Sequence, residues 1–253
     1  MCFQQRRVPD SANLDSSGTF YFSSLNAFFA ETPFLYDVRA GNGNLTYCYN
    51  EIGFFVADDI RLGANLSMGL GLRYDRQSSL RDHNNFSPRL SLSFAPGQSR
   101  RTVMRTGAGI FYDRTVAKAV RERLFFDGQR LRRFRVSDPG FPEPFGDPAS
   151  TQVPPSSVVM FGPDLKSPYV FEYSLALEHE LKKRLSASIT YSGTRGVNIF
   201  RSRDVNAPLP PSYESRPNPS IGLHRQIESS GNLSGHRVKA ALRGRLSSLL
   251  NGS

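Results

Sequence analysis

The chain shows a period of two again and again, and almost nowhere the 3.6-residue period of an amphipathic helix. In 66–75, Leu66, Met68, Leu70, Leu72 and Tyr74 fall on one face while Ser67, Gly69, Gly71, Arg73 and Asp75 fall on the other, because successive side chains of a strand point to opposite sides. The same division sets Leu90, Leu92 and Phe94 against Arg89, Ser91 and Ser93, and Leu185, Ala187, Ile189 and Tyr191 against Ser186, Ser188, Thr190 and Ser192. Phe171, Tyr173, Leu175 and Leu177 oppose Glu172, Ser174, Ala176 and Glu178, and near the end Val238, Ala240, Leu242 and Leu246 alternate with Arg237, Lys239, Arg243 and Arg245. Two segments are less clean: 52–62 carries Asp58 among Ile52, Phe54, Val56, Ile60 and Leu62, and 102–112 carries Thr106 among Met104, Ala108, Ile110 and Tyr112. The fold class is all-β, with seven strands expected at 49–62, 66–75, 87–95, 102–112, 169–181, 184–192 and 236–247.

One-sided strands of this kind suit two architectures. A soluble sheet with one wet face is the commoner; a transmembrane barrel, apolar toward lipid and polar toward a lumen, has the same alternation in segments of about ten residues with aromatics at the ends. Alternation alone leaves both open, but the connections run short, long, short, long: 63–65, 76–85, 96–100, 113–168, 182–183 and 193–235. Outer-membrane barrels place short turns at one rim and long loops at the other, whereas a sandwich has no reason to put every long connection at one end. An odd set of seven strands leaves two unpaired edges, which lipid does not tolerate. The expectation is an antiparallel up-and-down transmembrane β-barrel segment, part of a larger barrel. Its divisions are a loop-like N-terminal segment at 1–48, a partial barrel at 49–247 with long loops at 113–168 and 193–235, and a truncated end at 248–253. Short helices are expected at 24–30 and 117–126.

Composition agrees by exclusion. Mean hydropathy is −0.40, and no run approaches the ~20 apolar residues of a spanning helix, so a helical membrane protein is ruled out. The opening MCFQQRRVPDSANLDSSG carries positive charge at Arg6 and Arg7 but lacks the apolar stretch of a secretory signal. Cys2 and Cys48 make neither a disulfide framework nor a metal-ligand spacing, though a bridge between them stays open.

The chemistry of catalysis is sparse. His83, His179, His224 and His236 stand apart, and His179-Glu180 lacks the second histidine that a zinc-protease helix needs. Gly69-Leu70-Gly71 and Gly107-Ala108-Gly109 lie inside strands, where glycine admits close approach of another backbone rather than cradling phosphate. Asp58 and Asp59 are adjacent on a strand, so they point to opposite faces and share neither proton nor metal; a position at the rim near the short turn is expected. No enzyme, cofactor or metal site is expected. The charge of +10 is localised: residues 100–135 hold eleven Lys and Arg against three Asp and Glu. Under the barrel reading much of it lies in the loop 113–168, where Arg121, Arg123, Arg130, Arg132 and Arg133 form a candidate anion- and ligand-facing set; solvated loop charge without a ligand is the alternative. Nucleic acid is not an expected partner, since neither a recognition helix nor a stacking platform accompanies the arginines.

A series of motifs carries a resemblance: GTFYFSSLNAFFAETP at 18–33, EIGFFVADDIRLGANLSMGLGLRYD at 51–75, NNFSPRLSLSFAP at 84–96, TVMRTGAGIFYDR at 102–114, SPYVFEYSLALEHEL at 167–181, SASITYSGTRG at 186–196, DVNAPLPP at 204–211 and ESSGNLSGHRVKAALRGRL at 228–246. In this order they resemble the middle barrel region of TonB-dependent outer-membrane receptors, most nearly the Oar-like group with a carboxypeptidase-regulatory-like domain ahead of its plug. The resemblance implies a plugged 22-stranded barrel in the bacterial outer membrane, taking up a bulky ligand with energy from the TonB system. It further implies contact with outer-membrane lipid, lipopolysaccharide, the plug and the rest of the barrel. Ile60 stands where the family usually has Trp. This segment is expected not to transport alone, and a structural or adhesive outer-membrane barrel protein is the alternative function.

Overall fold

The computed structural model describes residues 2–11, 17–113, 116–145, 157–182, 185–245 and 251–252; Leu246 and most of the expected end at 248–253 lie outside the described residues. In chain order the elements are β1 (Cys2–Ser11), β2 (Thr19–Tyr21), α1 (Leu25–Phe29), β3 (Leu35–Gly41), β4 (Asn44–Arg61), β5 (Leu66–Gln77), β6 (Phe86–Phe94) and β7 (Thr102–Tyr112). They continue with α2 (Val116–Phe125), β8 (Leu131–Ser137), β9 (Val158–Phe161), β10 (Tyr169–Lys182), β11 (Leu185–Asp204), β12 (His224–Arg245) and β13 (Asn251–Gly252).

Nine strands form one wall in the order β1-β4-β5-β6-β7-β10-β11-β12-β13, antiparallel throughout, with β9 parallel beside β12. The described sheet does not close, as expected for part of a barrel. The seven strands read from alternation are β4 to β7 and β10 to β12. β11 and β12 run further than the period-two signal, however, so the connection expected at 193–235 is a loop only over 205–223. The register shifts between Gly196 and Ile199 and again before Arg201, and these bulges break the alternation where the strands leave the apolar band. At the other end, β1 pairs with β4 from Cys2↔Gly53 to Ser11↔Asn44, so the segment 1–48 contributes a wall strand as well as loop.

Register decides which face meets lipid. Val56 pairs with Leu72, Leu72 with Pro88, Leu70 with Leu90, and Leu90 with Ala108; Leu177 pairs with Ile189, Leu175 with Tyr191, and Tyr191 with Val238. These residues form one continuous apolar surface, and Val56, Leu72, Leu90, Leu175 and Val238 are all exposed. Yet every buried hydrophobic residue among those described, from Tyr36 and Val38 to Leu165 and Ile227, lies toward the long-loop end, and none on this band. A soluble sheet would bury its apolar face against a second layer; this wall shows it outward. Aromatics mark the upper edge of the band. Phe54, Tyr74 and Phe86 lie across β4, β5 and β6, with the Tyr74 and Phe86 rings 4.9 Å apart. Tyr112 and Tyr169 follow at 5.3 Å, Tyr173 and Tyr191 at 6.1 Å, and Tyr191 stacks on His236 at 6.0 Å. One glycine makes this packing possible: a Cβ on Gly193 would sit inside the Tyr173 ring, so the tyrosine lies flat across the neighbouring backbone.

Asp58 pairs with Leu70 on the apolar face and Asp59 with Gly69 on the polar one. The two do point apart, with Asp58 an exposed acid in the lipid-facing band. Cys48 is exposed and free. It pairs with Arg7, while Cys2 pairs with Gly53, so five register positions, roughly 16 Å, separate the cysteines and exclude the bridge left open by the sequence.

On the long-loop side stands a folded cap. β2, β3 and β8 make a second antiparallel sheet, in which Tyr36, Val38 and Phe134 form a small core. Both short helices are present. Ser24 caps α1 by accepting the Ala27 N–H at 3.1 Å, and α2 buries Ala119 with Leu80, Val159, Leu165 and Ile227, tying the cap to β12. Phe125 packs with Leu45 of β4 and Leu131 of β8.

Candidate functional site

Behind the apolar band lies a polar, concave face. Its floor is unusually flat, because Gly69, Gly71, Gly107 and Gly109 fall on it together with Ser91, Ser174 and Ser192. The resulting hollow of about 790 Å³ is flanked by Asp59, Arg89, Glu172 and Arg237. Its charges are held in place. Arg89 lies over the Phe111 ring at 4.5 Å, Arg105 meets Glu178 at 3.0 Å, and Arg73 grips Asp75 with two hydrogen bonds of 2.6 Å. Gly53 is what leaves room for that pair, since a Cβ there would come within 2.8 Å of both partners. A wet surface with fixed charges of both signs and bare backbone can seat a polar chain segment or line an aqueous path.

The five arginines expected to face an anion are not gathered into one site. Arg121 stacks on Phe125 at 4.9 Å and Arg123 on Phe161 at 5.1 Å, both from α2. Arg130 pairs with Asp127 at 3.8 Å. Arg132 is exposed on β8, and its neighbour Arg133 turns to the opposite face. There Asp37, only 7% exposed, accepts from Arg133 Nε at 2.8 Å and from Arg135 Nε at 3.1 Å. Sequence reading missed this pairing, although Tyr36-Asp37-Val38 and Arg133-Phe134-Arg135-Val136 are complementary alternating strings. Burial pushes the Asp37 carboxyl up, but hydrogen bonds and charge from Arg133 and Arg135 outweigh it and hold the group below the usual carboxylate range. Asp37 thus contributes stability that is full above about pH 4 and is lost as pH falls through its lower native value. Asp37→Asn should loosen the cap sheet by about 1–2 kcal/mol. Pepsin cleavage in β3 and β8 should rise in wild type only in that acid window, and at pH 5 already in the variant; equal cleavage of both at pH 5 would refute the assignment.

The loop 205–223 is closed by its own polar staple. Asn206, buried to 3% exposure, donates from Nδ2 toward the carbonyls of Asn218, Ile221 and Gly222 and accepts from the Asn218 N–H at 2.7 Å. Asp204 accepts from the backbone N–H groups of Asn206 and His224, both at 3.0 Å, and from Arg216 at 2.8 Å. The staple holds up a tip on which Leu209 and Tyr213 are 65% and 64% exposed.

An outward apolar band edged by aromatics, a polar concave face, short turns at one rim and folded loops at the other define a wall of a transmembrane β-barrel of the bacterial outer membrane. The chain belongs to the outer membrane beta barrel domain family, matched over residues 76–252. A comparison with curated protein sequences gave no match. Among solved structures it is similar to the outer membrane transporter YddB from Escherichia coli, with a TM-score of 0.60 and 14% identity over 96% of this chain and 26% of that one. It is also similar to a mutant of the ferric enterobactin receptor PfeA from Pseudomonas aeruginosa (TM-score 0.53, 15% identity, 97% of this chain, 33% of that one). The siderophore receptor PirA from the same organism matches likewise (TM-score 0.53, 12% identity, 97% and 40%). At such identities the likeness is one of fold, and the chain spans about a quarter to two fifths of the length of these proteins.

Proposed function

We propose that this chain is a middle segment of the barrel of a TonB-dependent, Oar-like outer-membrane receptor, supplying wall and extracellular cap for uptake of a bulky ligand. The observation that carries the reading is the superposition of nearly the whole chain on three transporters and receptors of which it covers only a part. The two wall edges left unpaired among the described residues support it, since lipid demands that further strands pair with them. The glycine-floored hollow supports a plug seated against the wall: bare backbone admits close packing, and Asp59, Arg89, Glu172 and Arg237 offer it charges of both signs. In this reading the arginines of α2 and β8 draw anionic ligands toward the cap. Siderophores are the first ligand class to test, because PirA is a siderophore receptor and PfeA a ferric enterobactin receptor.

The reading predicts an open frame extending upstream into a plug and downstream into more strands. It also predicts that cells carrying the gene in its genomic setting accumulate at least one ferric siderophore, and that this accumulation falls to background when TonB is deleted. A chain bounded by stop codons on both sides, or binding without TonB-dependent accumulation across siderophore, saccharide and peptide panels, would replace transport by a passive or adhesive role.

A further inference from the structure

The outer wall carries a basic recess immediately beyond the aromatic edge of the apolar band. It measures about 380 Å³ and is lined by Arg76, Arg81 and His83 over a floor that includes Ile52 and Leu80. Arg76 pairs with Ile52 and follows Tyr74 by two residues on the same face, about 7 Å along the strand and, at a tilt near 40°, about 5 Å along the membrane normal. The headgroup layer of a bilayer is about 5–7 Å thick. If the aromatic edge marks the hydrocarbon boundary, Arg76 therefore lies at the level of lipid phosphates.

The recess is free to take a ligand. Arg76 and Arg81 are exposed and have no carboxylate partner among the described residues. The only acid in the connection 78–85 is Asp82, and its carboxylate accepts the Ser167 N–H at 2.8 Å instead. Glu51, the nearest acid on β4, falls on the opposite face of the strand from Asn50 and Ile52. The same vertical order recurs on β11, where exposed Arg195 stands on the outer face four residues beyond Tyr191.

We infer that this recess binds a phosphate monoester of the outer-leaflet glycolipid, the phosphorylated glucosamine headgroup of lipid A. Two guanidinium groups match a phosphate in bidentate fashion, the histidine adds a donor, and Ile52 lies beneath them, where the lipid's sugar and first acyl carbons would rest. A soluble anion would approach the lumen or the cap; this recess opens on the wall side, where the lipid is at membrane concentration. The site depends on the membrane placement alone and stands whether or not the barrel transports.

The test uses protein extracted from outer membranes, placed in nanodiscs and read by native mass spectrometry during titration with lipid A or enzymatically dephosphorylated lipid A. Wild type should prefer the phosphorylated form at least tenfold, and Arg76→Gln/Arg81→Gln should lose roughly 10- to 30-fold in affinity for it. Lys239→Gln/Arg243→Gln, which removes the same charge from the lumen face, should keep the preference. Equal binding of the two lipids, an unchanged preference in the recess variant, or the same loss in the lumen variant would each overturn the site. Complete displacement by millimolar inorganic phosphate would likewise overturn a lipid site in favour of a free-anion one. Heat-dependent gel migration reports folding; should the double variant misfold, Arg81→Gln alone, in the connection beyond β5, should still lose about fivefold, and no loss would refute the site.

Discussion

Leu90→Arg should destabilise the wall by about 2–4 kcal/mol, the range for a basic residue near the midplane of a barrel's lipid face, while Ser91→Arg should change it by less than about 0.5 kcal/mol. The two positions are adjacent in sequence and opposite in environment. Leu90 pairs with Leu70 and Ala108 inside the apolar band, so a guanidinium there loses its hydration. Ser91 pairs with Gly69 and Gly107 on the concave face, and Asp59 leans over Gly69 close enough to meet a cation. Urea unfolding in lipid vesicles, followed by far-UV circular dichroism because the chain has no Trp, measures both. Equal costs would mean that both faces meet water, and the membrane assignment would fall. Asp58 supplies a natural counterpart: it stands on the lipid side, so Asp58→Leu should stabilise in vesicles, and a loss would show that a partner beside the stretch of β4 beyond its pairing with β1 depends on its charge.

The wall was legible because a lipid-facing strand writes its environment into every second residue. Leu66 to Tyr74 or Phe171 to Leu177 can be read without knowing any neighbour, and connection lengths then order the rims. The signal ends where the environment does. Beyond Gly196 both faces of β11 meet water or cap, so Val197 to Asp204 loses its period although the strand continues to pair with β12. The cap sheet was illegible for another reason. β3 and β8 are seven residues each, and they pair across separations of 90 to 102 positions, which no local pattern reports. Burial of Tyr36 and Val38 against Phe134 decides that pairing.

Charge was legible in amount and illegible in use. The excess in 100–135 is a sum over residues, whereas function depends on which guanidinium groups are already answered. Arg133 is engaged by an acid 96 positions away, Arg130 by one three positions away, and Arg121 and Arg123 lie over rings. Arg76 and Arg81, outside the dense run, line a recess of the outer wall and have no carboxylate partner among the described residues.

Asn206→Ala should open the loop 205–223 by about 2–4 kcal/mol without changing the wall. The substitution strips the Asn218 N–H and the carbonyls of Ile221 and Gly222 of their side-chain partner, and each buried polar group left unpaired costs about 1–3 kcal/mol. Arg216 then loses its seat, because it donates both to Asp204 at 2.8 Å and to the Asn206 carbonyl at 3.0 Å, and the backbone geometry holding the second contact goes with the staple. Cleavage by a glutamyl endopeptidase after Glu214, in the same loop, should therefore accelerate roughly 100-fold in the assembled protein, the rate tracking local opening rather than global unfolding. Urea unfolding of the wall should coincide with wild type, since β11 and β12 stay paired from Leu185↔Gly244 to Gly196↔Leu233 below the loop. Unchanged cleavage would show that the bonds of Asp204 hold the loop unaided. A joint fall in wall stability would show that the loop is continuous with the barrel rather than a separately closing element, and Leu209 and Tyr213 at its tip would then be positioned by the wall and not by Asn206.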